Sequence, residues 1–342
     1  MASITAATCE YGLAKSREGC VTTLAQLCGG AYNAAQVGYF VAGVLALGVS
    51  GYKLACALRC QGAMLQKQIF ALCMFASFTM LARGVDPGSY GHYVPRPLSG
   101  FFADSCTATL YTIFIKTVIF YISITQHGVV EKHRTIVIFE RSTIMFIWMF
   151  YIAYDVSLLQ DKGFGGMRDP VQLYVSAGFL LFLSAGFLVF GLQVIRRLES
   201  IETMNTHRLV VTAVARPDTN REAVDFSSVE AHAVLEEVKR KPRKPADRIR
   251  LLLTVTETVA VLSVAAQVYV AVVRGRSPPL ELECANGVHC EKIAMTLNPL
   301  HVFQYIWVWV ALWTYWRTQQ RAESKASESS SRRKTPFGAE QA

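Results

Sequence analysis

Apolar residues along this chain fall into seven long runs, separated by short polar segments and one long one. The runs cover Asn33–Tyr52, Gln68–Arg83, Phe101–Thr125, Ser142–Leu159, Leu173–Ile195, Leu251–Val273 and Ile293–Trp316. A helix that crosses a bilayer needs roughly 20 mostly apolar residues. The pattern therefore predicts an all-α polytopic membrane protein, a seven-transmembrane-helix bundle over residues 33–316. The second run is short, because Lys67 and Arg83 bracket only 15 residues. A snorkelling Lys67 would lengthen it; a re-entrant segment is the alternative. Without it the chain has six spans and both termini on one side.

The composition agrees, with 52% hydrophobic and 17% charged residues, against about 25% charged in soluble domains. The formal charge of +9 would suit nucleic acid, but the basic residues sit at the ends of apolar runs, where they meet anionic lipid headgroups. They do not form a nucleic-acid footprint. If the N-terminus is non-cytosolic, the segments facing the cytosol carry 24 of the 34 Lys and Arg, as the positive-inside rule requires. Half of those 24 lie in one long loop, which weakens the rule because long loops translocate regardless of charge. The expected layout is a non-cytosolic tail over 1–32 with no cleavable apolar core, a cytosolic insert over 196–250, and a disordered cytosolic tail over 317–342.

Six of nine cysteines fall on the expected outside: Cys9, Cys20, Cys28, Cys106, Cys284 and Cys290. Cys284 and Cys290 share one short loop, which suits a local disulfide in an oxidising compartment. His289 beside them leaves a metal or free-thiol reading open. Cys56 and Cys60, at the cytosolic end of the first span, are palmitoylation candidates or inert thiols. Within the insert, Thr206–Ala215 is β-prone, and Ser227–Lys239 reads as a helix with a Ser227/Glu230 capping box. The strip Lys239, Arg240, Lys241, Arg243, Lys244 is too rich in proline and like charge to fold alone. It is either a solvated linker or a strip held on anionic lipid at about 1 kcal/mol per basic residue.

Ionisable groups at bilayer depth are expensive. Lys116 in the third run and Glu257 in the sixth lie at similar depth, and the expectation is an intramembrane charge pair. Gln193, Gln267 and Gln304 read as interhelical hydrogen bonds, and the tryptophans of the last run as anchors and packing. Hydrolase, metalloprotease and P-loop motifs do not occur, so the reading is of a protein that is not an enzyme and needs no cofactor.

Three short stretches resemble the tobamovirus multiplication family and related seven-span, orphan receptor-like proteins. They are the turn Arg83, Asp86, Pro87, the long aromatic third run from Asp104 to Gln126, and Asn298-Pro299 opening the seventh run. The resemblance implies a non-enzymatic protein of vacuolar, endolysosomal or plasma membrane that recruits cytosolic partners. Three functions follow as expectations. The first is a scaffold or regulator recruiting a cytosolic protein, a G protein or a trafficking or signalling factor, through the insert and tail. The second is a G-protein-coupled-receptor-like signalling receptor. The third is a channel or transporter using Lys116 and Glu257.

Overall fold

The computed structural model describes residues 8–59, 63–127, 134–158, 168–214, 244–276, 279–293, 295 and 299–332. Among them the chain is almost entirely helical. A two-stranded antiparallel hairpin, β1 (Leu13–Ser16) and β2 (Gly19–Thr23), leads into the short helix α1 (Leu24–Cys28). Thr23 caps α1, with reciprocal hydrogen bonds between Thr23 and Gln26. The long helices follow: α2 (Gly30–Arg59), α3 (Met64–Gly84), α4 (Arg96–His127), α5 (Arg134–Leu158), α6 (Arg168–Val214) and α7 (Lys244–Arg276). The short α8 (Leu280–Ala285) and the last helix α9 (Pro299–Arg332) close the chain.

Six of these helices, α2 to α7, are long and apolar enough to cross a membrane, as expected of a multi-pass membrane protein. The doubtful second run is one of them: α3 begins before Lys67 and reaches 21 residues. The last helix packs against α2, α3, α4 and α7 in the same bundle, but its His301, Gln304 and interleaved Trp and Tyr lower its hydropathy. The bundle is built around α4, whose apolar stretch is 78% buried, whereas that of α5 is 17% buried. On the outer helices Phe182, Met149 and Phe146 stand exposed, which suits contact with hydrocarbon.

Two glycines set the closest helix approach. A Cβ on Gly43 of α2 would stand 3.0 Å from Leu81 Cα, and one on Gly84 of α3 would stand 3.1 Å from the Phe40 nitrogen. Small residues at such crossings let backbones meet without a side chain between them.

Several expectations change in detail. Thr206–Val214 is not a strand: α6 continues to Val214 and runs for 47 residues, since a helix already nucleated in the apolar run propagates at little cost and outweighs local β preference; Ala215 lies outside the described residues. At the other end of the insert, α7 starts at Lys244, so Lys244 and Pro245 form its first turn, where proline is tolerated because no amide hydrogen is needed there. Lys239, Arg240, Lys241 and Arg243, with the Ser227–Lys239 helix, lie outside the described residues. The last helix begins at Pro299, later than Ile293, and extends to Arg332. The first part of the tail expected to be disordered is therefore helical, in keeping with its Ala322, Glu323, Lys325 and Ala326. Asn298 lies outside the described residues.

The turn after α3 explains why Asp86 and Pro87 follow Arg83. The Asp86 carboxylate is 1% exposed and accepts four hydrogen bonds. Tyr32 Oη (2.9 Å) and the Gly91 amide (2.7 Å) donate to Oδ1, and the Tyr93 (2.9 Å) and Val94 (3.0 Å) amides donate to Oδ2. These bonds fix a turn in which Gly88 (φ 69), Ser89 (φ 58) and His92 (φ 59) all adopt left-handed backbone, a conformation that costs a non-glycine residue about 1–2 kcal/mol. We expect Asp86→Ala, which strands three amide donors and a phenol, to lower stability by about 3 kcal/mol or more. Thermal unfolding of the purified chain reads this; an unchanged Tm would show that the turn does not depend on the carboxylate.

Candidate functional site

The hairpin, the Asp86 turn and α8 assemble into a cap over one end of the bundle. Cys9 and Cys20 form a disulfide that closes the hairpin, with Cα atoms 5.6 Å apart. The Cys9 amide donates to the Ala285 carbonyl at 3.0 Å, tying the hairpin to α8. The expected Cys284–Cys290 disulfide is present, with Cα atoms 4.6 Å apart, which leaves neither sulfur as a thiolate for a metal. Cys9–Cys20 was not foreseen as a pair, although both residues fell on the same expected side. Cys28 stays a free thiol near Cys290. Burial, and more weakly the Glu281 carboxylate, hold it above its ordinary range against a hydrogen bond with the Met295 backbone, so it is a poor nucleophile toward the neighbouring disulfide. Tyr90 donates to Glu281 Oε1 at 2.7 Å, and burial keeps this phenol protonated, well above the usual tyrosine range. The Arg96 guanidinium sits 4.3 Å over the Tyr11 ring.

Below this cap lies a cavity of about 630 Å³, within the size range of small-molecule sites. Its walls come from the N-terminal parts of α4, α6 and α9 and the C-terminal parts of α5 and α7, with Tyr39 of α2 and Arg83 of α3. These are the cap-side ends of the helices. Tyr11 and Tyr90 of the cap also reach it.

The walls are unusually polar for the inside of an apolar bundle. Tyr111 of α4 and Tyr151 of α5 each bring a hydroxyl to within 2.8 Å of Ser176 Oγ on α6. Tyr111 donates to the Ser176 carbonyl at 3.0 Å and accepts from Gln267 Nε2 of α7 at 3.2 Å. Gln304 Nε2 of α9 donates to Thr107 Oγ1 at 2.8 Å, and Trp307 Nε1 donates to Ser263 Oγ at 3.1 Å. Gln267 and Gln304 thus make the interhelical hydrogen bonds expected of them. Tyr39 Oη lies 2.7 Å from His301 Nδ1. At one side of the cavity, Asp104 of α4 accepts from Gln172 Nε2 at 2.6 Å, and the Asp155 carboxyl of α5 lies close enough to act on it electrostatically.

No sequence expectation above brings Asp104 and Asp155 together, although the sequence carries a signal for it. Each lies three or four residues inside the cap-side boundary of its expected span. Two acids at matching depth in consecutive spans could be read as facing each other.

The charge pair expected between Lys116 and Glu257 does not form. Lys116 Nζ instead donates to Glu140 Oε1 of α5 at 3.1 Å and to Gln68 Oε1 of α3 at 3.0 Å. Glu257 accepts from Ser184 of α6. The cause is the length of α5. It starts at Arg134, eight residues before the expected boundary at Ser142, and so carries Glu140 into the bundle. Both partners are largely buried, with side chains 17% and 8% exposed. Lys116 and Glu140 lie away from the cavity, and the first reading of such a pair is a lock between α4 and α5. Removing one partner of a buried pair costs about 3–5 kcal/mol, whereas replacing both by apolar residues can be neutral. Lys116→Met and Glu140→Leu should each lower Tm steeply, and the double substitution should recover most of the loss. Lys116→Met with Glu257→Leu should show no such recovery; recovery there instead would restore the Glu257 pairing. Compared with known proteins, the chain matches no family model, no curated protein and no solved structure, so its function is read from the cavity and its walls.

Proposed function

We propose that this chain is a seven-span, receptor-like membrane protein that takes up a small molecule in the capped cavity from the non-cytosolic side and passes the event to a cytosolic partner. The observation that carries this reading is the cavity itself: about 630 Å³, bordered by all seven long helices, whose polar groups converge on it. Ligand sites in helix bundles have this form, an aromatic-lined space with a few placed polar groups. In this reading α9 is the seventh span. The cap faces outward, because its two disulfides suit an oxidising compartment, and Lys53, Arg59, Arg196, Arg197 and Arg250 mark the cytosolic ends.

The route to the cytosol is α6. Its 47 residues span about 70 Å at 1.5 Å per residue, more than twice the roughly 30 Å hydrocarbon core. Arg250 of α7 forms an ion pair with Glu199 of α6, which joins the two helices at the end of their apolar stretches. They would present the insert over 196–250 to a partner, which joins the receptor reading to the scaffold one. Gly191 of α6 meets the Leu253 side chain of α7, and both helices contribute to the cavity walls. A shift at the walls would reach the partner through this paired stalk. The resemblance to the tobamovirus multiplication family accords with a partner-recruiting role on an endolysosomal, vacuolar or plasma membrane.

Two measurements test the reading. On a background with Cys28, Cys56 and Cys60 replaced by serine, Tyr93→Cys should label with an impermeant maleimide from outside the cytosol, and Ser200→Cys only from the cytosol. The opposite pattern would invert the protein and turn the cavity toward the cytosol. In a thermal-shift screen of the purified full chain against small polar organic compounds, at least one should raise Tm, and Ala103→Trp, which fills the cavity wall, should abolish that shift. If no compound does so while residues 196–250 alone capture cytosolic partners, the protein is a scaffold without a ligand.

A further inference from the structure

The capped cavity continues beyond its polar part. A second, narrower cavity of about 40 Å³ lies further from the cap, and Leu110, Phe114 and Trp307 line both. At this junction the Phe114 and Trp307 rings meet edge to face with centroids 5.4 Å apart. Along α9 the combined lining runs from Pro299 to Tyr315. That is about 24 Å at 1.5 Å per residue, most of the roughly 30 Å hydrocarbon core.

The two ends differ in chemistry. The cap end carries Arg83 and Arg96 with Asp104 and Glu281, charges of both signs in equal number, so it selects no net charge. It also carries Gln267 Oε1 and Ser89 Oγ, which are buried and have no hydrogen-bond partner among the described residues. The first is an acceptor and the second a hydroxyl that can donate. The far end is lined mostly by apolar side chains, Phe187, Leu252 and Ala311 among them. Of its hydroxyls, Thr117 and Tyr315 bond each other, and Thr314 bonds back to the Val310 carbonyl. A buried water needs about 10–15 Å³ and several polar partners; this end offers the space but few partners.

The mouth is apolar too. Tyr269 and Val273 of α7 and Leu280 of α8 line the cavity and are 65%, 49% and 40% exposed. Tyr269 and Val273 belong to the stretch of α7 that is long and apolar enough to span, so the opening they border lies at the depth of lipid.

Resting on the receptor-like reading above, we infer that the cavity's ligand is a single-chain amphiphile, a polar head of no net charge on one hydrocarbon chain, drawn from the non-cytosolic leaflet through this mouth. The head lies among the balanced charges, where a hydroxyl on it donates to Gln267 Oε1. The chain passes Phe114 and Trp307, and its end fills the narrow cavity.

The probe is lauroyl lysophosphatidylcholine, a zwitterionic head on one chain, added to the purified full chain in nanodiscs of diacyl phosphatidylcholine. It is expected to raise Tm to saturation, and Ala103→Trp to abolish the rise. Glycerophosphocholine, the same head without a chain, should give none, and lauroyl lysophosphatidic acid, whose head is anionic, should bind more weakly. A second reading locates the chain. With Trp148, Trp309, Trp313 and Trp316 replaced by phenylalanine, Trp307 is the one tryptophan left. A lysophosphatidylcholine brominated near its chain end should quench it far more than an equal mole fraction of brominated diacyl lipid. Ala311→Phe, which fills the narrow cavity, should raise the half-quenching mole fraction at least about tenfold, the cost of overpacking such a site. The thermal-shift comparison stands even if the single-tryptophan protein folds poorly. Equal or tighter binding of the phosphatidic acid overturns the neutral head. Equal quenching by the two brominated lipids, or as large a shift with glycerophosphocholine, overturns the single chain. Silence of the probe, while the wider screen yields an Ala103→Trp-sensitive compound, overturns the amphiphile and leaves the cavity as a ligand site. Silence in both overturns the amphiphile and the receptor-like reading together.

Discussion

Hydrocarbon offers no hydrogen bonds, so a polar group that this chain carries among its apolar helices has to find a partner on its own helix or on a neighbouring one. That constraint organises the bundle around α4. Its hydroxyls bond back to their own helix: Thr109 Oγ1 donates to the Ser105 carbonyl, Thr112 to Ala108 and Thr117 to Ile113. Its longer groups reach outward. Tyr111 reaches α6, Lys116 reaches α3 and α5, and Thr117 meets Tyr315 of α9. Trp148 of α5 donates to Thr112 in return. A helix that supplies partners to five others cannot sit at the edge, and its burial follows.

The same rule separates two kinds of polar cluster. Around Lys116 the groups pair off closely, an ammonium with one carboxylate and one amide, and the result is a lock. Around Asp104 they do not. Gln267 Oε1 and Ser89 Oγ at the cavity wall, and Asp155 Oδ1 close to Asp104, have no hydrogen-bond partner among the described residues. Satisfied buried networks rigidify a core, while incompletely satisfied ones are costly. A cost that persists beside a cavity is more informative than one in a packed interior, because something else can enter and meet it. Breaches of the general rule tend to gather at functional sites.

Hydropathy made much of the architecture legible. Six of the seven apolar runs correspond to helices both long and apolar enough to span, since the need for about 20 apolar residues is a one-dimensional property. Helix ends were harder. Glu140 was read as a loop residue because a charge normally closes an apolar run, and only its partner on α4 makes it an interior residue. Thr206–Ala215 reads as a strand because Val and Thr favour one locally, and the continuing helix α6 decides otherwise as far as Val214. The Cys284–Cys290 bridge could be read from six-residue spacing in one loop. Cys9–Cys20 lay in a tail with no pattern to mark it as a hairpin. The turn at Arg83, Asp86 and Pro87 carried a resemblance before it carried a mechanism. Its reason, a carboxylate collecting three amides and a phenol, needs atoms that are distant in sequence.

The cap and the cavity depend on each other through that turn. Asp86 draws in the Tyr93 and Val94 amides and so sets the direction from which α4 starts at Arg96. From there Arg96 reaches the Tyr11 ring, and two turns further on Asp104 meets Gln172. The hairpin is held over this point by its own disulfide and by the Ala285 carbonyl, and Gly12 passes so close to Ser89 that a Cβ would lie 2.7 Å from its carbonyl oxygen. The cap is therefore no separate ornament: the turn that braces it also fixes the helix around which the bundle is organised, and a change in one is felt by the walls of the cavity below the other.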